Sequence, residues 1–330
     1  MVFGKNLASS NAFDLKQGYR MKIKNKYIVL CVLAITSLFF GGCGRNIPLT
    51  PPLEQNVLRF GTDASFDVVT WNLQTFPLSQ ASMETIAQII PQLEVDVIAL
   101  QEIMDYNAFH ELVGMIPHYE GYIYNATNSY RLAYLYDTRT VEVQNAYTIY
   151  TGQTHPFPRA PYVLECSFKG TPVILINNHL KAFGDNYIDE DDPWDEEYRR
   201  RLACQLLDQY IVEHFPNDRV MVLGDMNDQI AEPREYNVFL SFLDKPDEYR
   251  FADMDIALKP TYNNVSYPTY LSHIDHILIT NELFEAFEAP DAVCRVIRVD
   301  EYMGTWQNYA NKVSDHRPLG VRLYLDYGRK

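Results

Sequence analysis

Cysteine is scarce in this 330-residue chain, and the five present are not arranged for metal or disulfide chemistry. Cys166, Cys204 and Cys294 stand far apart in apolar surroundings with no C-x-x-C spacing, so neither a zinc site nor a disulfide framework is expected. No H-E-x-x-H, G-x-S-x-G or Walker loop occurs, which leaves zinc-protease, serine-hydrolase and P-loop chemistry without support. Positive charge is also short: 28 Lys and Arg stand against 43 Asp and Glu, a formal net charge of −15. Such a chain carries no general affinity for phosphate backbones, which needs clustered Lys and Arg. Binding of a phosphorylated partner would depend on a local groove and a bound metal. Internal repeats and low-complexity segments are absent, and no linker-like stretch divides the strands, so one domain is expected after the N-terminal region.

The N-terminus reads as targeting rather than fold. Met21–Lys26 is basic, Ile28–Phe40 is an uncharged, mostly apolar run of 13 residues, and Gly41-Gly42-Cys43 closes it. The run is too short for a comfortable membrane span and has the order of a secretory signal peptide. With its terminal cysteine it resembles a bacterial lipoprotein signal. That resemblance implies cleavage before Cys43, lipid on the Cys43 thiol, and a chain tethered to the membrane in the cell envelope, outside the cytoplasm. Residues 1–20 precede a good start at Met21 and are set aside as a non-native extension or mis-assigned start. Residues 21–42 form the signal, 43–65 a proline-bearing tether, and 66–330 the functional domain. Residues 1–43 hold six Lys or Arg against Asp14, so the remainder of the chain stands at −20.

Within the domain, 24 Tyr and 17 Phe favour a sheet-rich core. Val220-Met221-Val222-Leu223 is an apolar run of the kind buried on both faces of a sheet; it stops on Gly224 and then delivers Asp225 and Asn227. Other strand-like runs end in the same way. Asp67–Asn72 closes on Asn72, Val95–Glu102 on Glu102, and Val173–Asn177 leads into Asn178-His179. Ile274–Ile279 carries Asp275 at its front, and Leu319–Leu325 is preceded by Asp315-His316. Helical spacing is read over Ser82–Leu93, Asn107–Ile116 and from Arg199 to His214, the last with Leu202, Leu206, Gln209 and Tyr210 on one face; 233–243 reads as a short helix and 245–270 as irregular. Each polar strand end has a bland reading as a cap or Asx-turn. Their recurrence points to one site. Carboxylate and amide oxygens suit Mg²⁺, Mn²⁺ or Ca²⁺, and imidazoles with carboxylate partners suit proton transfer and charge stabilisation.

In order along the chain, Thr70-Trp71-Asn72, Leu100-Gln101-Glu102, Asn177-Asn178-His179-Leu180, Gly224-Asp225-Met226-Asn227, Ile274-Asp275-His276 and Ser314-Asp315-His316-Arg317-Pro318 resemble the motifs of the endonuclease/exonuclease/phosphatase superfamily. The resemblance implies a four-layer α/β/β/α sandwich of two packed mixed sheets and a metal-dependent phosphoesterase. A nuclease is the leading expectation, with a phosphatase or phosphodiesterase for a sugar, inositol or phospholipid head group as the alternative and a catalytically silent binding protein as a third. It casts Glu102 as the main metal carboxylate with Asn72 and Asp315 beside the metal, Mg²⁺ in the first instance. Asp225 aligns or deprotonates the attacking water, Asn227 donates to phosphoryl oxygens, Asp275 orients His316, and His179 is the second histidine. Arg159, Tyr130 and Asn177 are its substrate-binding groups, Tyr130 lying in a segment, Asn128-Ser129-Tyr130, like one that contacts a nucleic-acid strand. Where the family's DNase I branch places a glutamate to orient the second histidine, this chain has Leu132, so His179 must find its orientation elsewhere. A monomer acting on a phosphate ester, nucleic acid among the candidates, is expected.

Overall fold

The computed structural model describes residues 58–125 and 130–326; Cys43, the leader and Asn128-Ser129 lie outside them. The strands are β1 (Phe66–Phe76), β2 (Val97–Ile103), β3 (Tyr119–Ile123), β4 (Arg131–Asp137), β5 (Val141–Thr148), β6 (Tyr162–Phe168), β7 (Thr171–His179), β8 (Val220–Asp225), β9 (Tyr249–Phe251), β10 (Asp275–Thr280), β11 (Val293–Val296) and β12 (Leu319–Leu323). They build two six-stranded mixed sheets, ordered β11-β12-β1-β2-β4-β3 and β5-β6-β7-β8-β10-β9.

Side-chain alternation turns these sheets into four layers. Val68, Ala99 and Tyr134 from one sheet meet Leu164, Leu175, Leu223 and Ile277 from the other in the central core. Their neighbours Val69, Trp71, Ile98 and Leu100 pack outward with α1 (Gln80–Leu93), α2 (Tyr106–Met115) and the helix Trp306–Lys312. Ile174, Ile176, Val220 and Val222 pack outward with α3 (Glu196–His214). The expected four-layer sandwich is therefore present. Among the described residues no helix is long and apolar enough to cross a membrane.

The helices begin where their caps dictate. Ser79 accepts the Ser82 N–H ahead of α1, and Asp195 accepts the Tyr198 N–H ahead of α3. The inward face of α3 differs from the sequence expectation. Arg200, Ala203, Cys204, Leu207 and Ile211 are buried, whereas Leu202, Leu206, Gln209 and Tyr210 are not. The rotation follows from Arg200, whose Nε donates to Asp228 at 2.7 Å and whose Nη2 faces Glu197 at 3.0 Å. An apolar periodicity passes over a buried arginine. The expected helix over 233–243 shrinks to Leu240–Leu243, and the stretch read as irregular contains β9 and the helix Met254–Leu258.

Gly224 is required where β7 meets β8. Its φ is +140°, and a Cβ there would lie 2.0 Å from the Asn178 carbonyl oxygen. Gly224→Ala is expected to cost roughly 2–4 kcal/mol from overpacking and positive-φ strain together. Urea denaturation checks this; an unchanged midpoint would contradict the close approach.

Candidate active site

Register brings the polar strand ends together. His179 on β7 pairs with Asp225 on the parallel β8, and Asp225 pairs with Asp275 on the antiparallel β10. The three occupy one row and so project to one side of their sheet. In the other sheet β1 and β2 run parallel, and Asn72, paired with Gln101, and Glu102 lie toward their carboxyl ends. Because β12 is antiparallel to β1, the Ser314–Pro318 segment that precedes it arrives at that same end. It is fastened there: Ser314 Oγ donates to the Asn72 carbonyl at 2.6 Å, and the His316 N–H donates to Ser314 Oγ at 2.9 Å.

Asn72 joins the two sheets. Its amide nitrogen donates to Asp225 Oδ2 at 2.9 Å and faces Glu102 Oε1 at 3.4 Å. Its own oxygen accepts the Gln74 N–H at 2.9 Å. Glu102 adopts φ +61° at a break in the β2–β4 register, and its second oxygen accepts the Thr75 N–H at 2.8 Å. Asp225 Oδ1 accepts the Asn227 N–H at 3.0 Å. Asn227 Nδ2 and Arg159 Nη1 converge on one carbonyl, that of Leu180, at 3.3 and 3.2 Å, and the Arg159 guanidinium lies 5.1 Å from the Tyr130 ring centre.

The two histidines differ in charge. His316 Nδ1 sits 2.8 Å from Asp275 Oδ2, and its Nε2 points toward Asp225 Oδ2 at 3.9 Å. Burial pulls the His316 pKa down, but Asp275 and Asp225 outweigh it and carry the ring up to about 10. Its Nδ1–H donates to Asp275 and the imidazole is cationic at neutral pH. His179 Nε2 lies 3.6 Å from Asp225 and 3.9 Å from Glu102. Burial, then Arg159 and His316, hold its pKa well below the usual value, so it is neutral. His179 Nδ1 is buried without a hydrogen-bond partner, as the leucine at position 132 implies, and Leu132 itself is buried in the central core. Burial raises Asp225 to about 6, with Asp275 adding and His316 opposing. Burial likewise raises Asp315, with Glu102 and Asp275 among the neighbours that add to it.

Asn177 is a correction. It is fully buried; its Nδ2 donates to the carbonyls of Leu100 and Ala133 at 3.0 Å each, and its Oδ1 accepts from Gln101 Nε2 at 2.7 Å. It lies one same-face row deeper than His179, pinning the two sheets together, and has no free atom for substrate. Two features escaped the sequence reading. Tyr267 stacks on His316 with ring centres 4.6 Å apart, and Asp253 Oδ2 is met by His276 Nδ1 at 2.6 Å and His273 Nε2 at 3.0 Å. Tyr267 and Asp253 both belong to the segment between Pro246 and Ile274, whose prolines masked its order.

The donor chemistry separates the places where a metal could sit. Asp225, Asp275 and His316 lie within ligand reach of each other, but a cationic, Asp-bonded imidazole is no ligand. In the Asp253–His273–His276 cluster every ring nitrogen is engaged, since His276 Nε2 donates to the Asp228 carbonyl at 2.8 Å and His273 Nδ1 accepts the Ser266 N–H at 3.3 Å. Glu102, whose side chain is 18% exposed, offers hard oxygen beside Asp315 and fits a divalent cation.

Residues 69–316 match the family model described as Endonuclease/Exonuclease/phosphatase family. The chain belongs to this family. Its members hydrolyse phosphoester bonds and depend on divalent metal. Solved structures of similar fold include TDP2 of D. rerio complexed with single strand DNA product, at 15% identity and a TM-score of 0.58, covering 79% of this chain and 99% of that one. An endonuclease/exonuclease/phosphatase from Bacteroides vulgatus gives 17% and 0.56, covering 78% and 98%. A mannosyl-6-phosphatase of Bacteroides thetaiotaomicron gives 17% and 0.53, covering 78% and 99%. At these identities the likeness is one of fold. No curated protein matches the sequence.

Proposed function

We propose that the chain is a metal-dependent phosphodiesterase that cleaves nucleic acid in the cell envelope, with its chemistry at Asp225, Asn227, Asp275, His316 and His179. The observation that carries the chemistry is the placement of the Asp225 carboxylate between two histidines, His316 cationic and His179 neutral, with Asn72 bridging it to Glu102. Asp225, raised toward neutral pH by burial, accepts a proton from the attacking water. The water oxygen forms the new P–O bond as the bond to the leaving oxygen breaks in line. The His316 imidazolium, held by Asp275, faces the charge that gathers on the phosphoryl oxygens. Neutral His179 donates a hydrogen bond from Nε2, and Asn227 and Arg159 hold the remaining oxygens. A divalent cation at Glu102, with Asp315 and Asn72 around it, would supply Lewis-acid charge neutralisation and a contact for the leaving oxygen. Asn72 presents its NH₂ to the carboxylates, so its part is to set their spacing.

The nucleic-acid reading rests on a hollow of about 340 Å³ lined by Arg159 together with Tyr124, Tyr130, Tyr150 and Phe157. Aromatic faces beside a cation suit a stacked base. A small phosphate monoester is the second reading, favoured by the acidic stretch Asp185–Glu197 that follows His179 and would repel a long polyanion. A panel of single-stranded oligonucleotide, duplex DNA, RNA and sugar or inositol monophosphates, each with Mg²⁺, separates them. The expected result is oligonucleotide cleavage, with Arg159→Ala raising KM about 10-fold or more through loss of a charge-assisted contact. Phosphate release from monoesters alone would sink the nuclease reading. The envelope placement rests on the leader; metabolic labelling with a fatty acid is expected to mark the protein and to be lost in Cys43→Ser, and equal labelling of both would rule the anchor out.

A further inference from the structure

The segment joining β7 to α3 carries a second concentration of acid, away from Glu102. Asp185, Asp195 and Glu197 each present one carboxylate oxygen, and these oxygens lie within 4.8 Å of one another. Clustered acids alone are common on surfaces. Glu197 is what distinguishes this cluster. Its side chain is 1% exposed; Oε1 accepts the Asn186 N–H at 2.7 Å and faces Arg200 Nη2 at 3.0 Å, while Oε2 is buried with no hydrogen-bond partner. Gly184, at φ +119°, presses against the same carboxylate: a Cβ there would meet Oε1 at 2.2 Å and Oε2 at 2.5 Å. An anionic oxygen sealed from water without a partner is strongly unfavourable.

Arg200 meets this carboxylate only at Oε1, and the other neighbouring side-chain cations are engaged elsewhere. Lys181 pairs with Glu196 at 3.0 Å and Arg201 with Glu190 at 2.9 Å. Arg199 donates to the carbonyls of His155 and Thr154. Arg200 is divided among Asp228, Glu197 and the carbonyls of Lys181 and Phe183. Among the described residues neither Asp185 nor Asp195 has an ion-pair partner. Each has one oxygen committed, Asp185 Oδ1 to the Tyr187 N–H at 3.1 Å and Asp195 Oδ1 to the Tyr198 N–H at 2.6 Å, which leaves Oδ2 of each.

We propose that Asp185, Asp195 and Glu197 bind a divalent cation, and that the cation is of the Ca²⁺ type. The donors are all oxygen, and they come from an irregular loop and one helix end. Ca²⁺ takes about six to eight oxygens in flexible geometry and fills its sphere with loop carbonyls and water, whereas Mg²⁺ demands a stricter octahedron. The α3 dipole opposes a cation at this end, but with roughly half a charge against three carboxylates. Occupancy ties the loop to α3 beside Arg200, which grips the carbonyls of Lys181 and Phe183 and the Asp228 carboxylate. Those groups flank Leu180 and Asn227, so the cation steadies the rim of the phosphoesterase centre and cancels part of the charge that faces an incoming phosphate.

Tb³⁺ serves as a luminescent probe for Ca²⁺, with Trp194 in the same loop as its antenna. The full chain carrying Glu102→Gln, which weakens the other metal position, is titrated with Tb³⁺ and then with Ca²⁺. Saturable tryptophan-sensitised emission that Ca²⁺ displaces is expected, and adding Asp185→Asn with Asp195→Asn is expected to weaken Tb³⁺ binding at least 10-fold; asparagine at 195 still caps α3. Ca²⁺ is also expected to raise the Tm of the Glu102→Gln chain and not that of the triple variant. Absence of Ca²⁺-displaceable emission, or an affinity unchanged by the two asparagines, would overturn the proposal.

Discussion

Asp225→Asn is expected to lower kcat about 10³- to 10⁴-fold while KM changes little, the loss ascribed to a positioned base together with its electrostatic partner. Asparagine keeps the shape, but its single acceptor oxygen can take only one of the two bonds that Asp225 accepts, from Asn72 Nδ2 on Oδ2 and from the Asn227 N–H on Oδ1. What disappears is the proton acceptor for water and one of the three carboxylates, with Asp275 and Asp315, that hold His316 cationic. The substitution therefore removes two contributions that act at the same moment of the reaction. Steady-state kinetics with a chromogenic phosphodiester measures it, and a melting curve verifies folding. A kcat within tenfold of the parent would remove Asp225 from the chemistry.

Arg317→Ala is expected to cost about 3–5 kcal/mol of folding stability, the range for breaking a buried ion pair from one side. The Arg317 side chain is fully buried. It donates to Asp300 Oδ2 at 2.7 Å and to the carbonyls of Tyr262 and Val265, and it lies between the rings of Tyr262 and Trp306 at 5.0 and 5.1 Å. Alanine leaves Asp300 beside Arg298 alone. Burial pushes the Asp300 pKa up, but hydrogen bonds from Arg298 and Arg317 outweigh it and hold it below the ordinary value of 3.8. A depressed carboxylate stabilises the fold above its unfolded pKa, and that stability is lost as pH falls through the folded one. The stability gap between the parent chain and the Arg317→Ala variant should thus be full at pH 7 and narrow only below about pH 4. Urea denaturation at pH 7 and pH 3.5 tests both parts. A loss under 1 kcal/mol at pH 7 would contradict the stabilising role given to the buried Arg317–Asp300 pair.

How much of this could be read from residues alone depended on burial and register. β2 and β8 were legible because strands covered on both faces show apolar runs, and β1 because Asp67–Asn72 alternates. β3 and β11 were not: as edge strands they are partly exposed, and Tyr119-Glu120-Gly121-Tyr122-Ile123 mixes charge and glycine where a pattern is sought. The polar strand ends identified the site because so many carried complementary chemistry. Depth along a strand was invisible, and so Asn177 and His179, two residues apart on one face, were given related roles although Asn177 is spent on hydrogen bonds within the core and only His179 lies beside Asp225 and Glu102. Tyr267 was hidden by prolines around it, and its place over His316 comes from a long-range approach with no local signature.

The central claim is that this site hydrolyses phosphate esters with a divalent cation at Glu102 and Asp225 acting on the water. The most direct measurement is cleavage of a phosphodiester substrate by the full chain after treatment with EDTA, before and after Mg²⁺ or Mn²⁺ is restored, beside Glu102→Gln and Asp225→Asn. The account predicts no turnover without metal, recovery on restoring it, a strongly raised metal requirement for Glu102→Gln, and no recovery for Asp225→Asn. Turnover that survives chelation, or that persists in both variants, would contradict it.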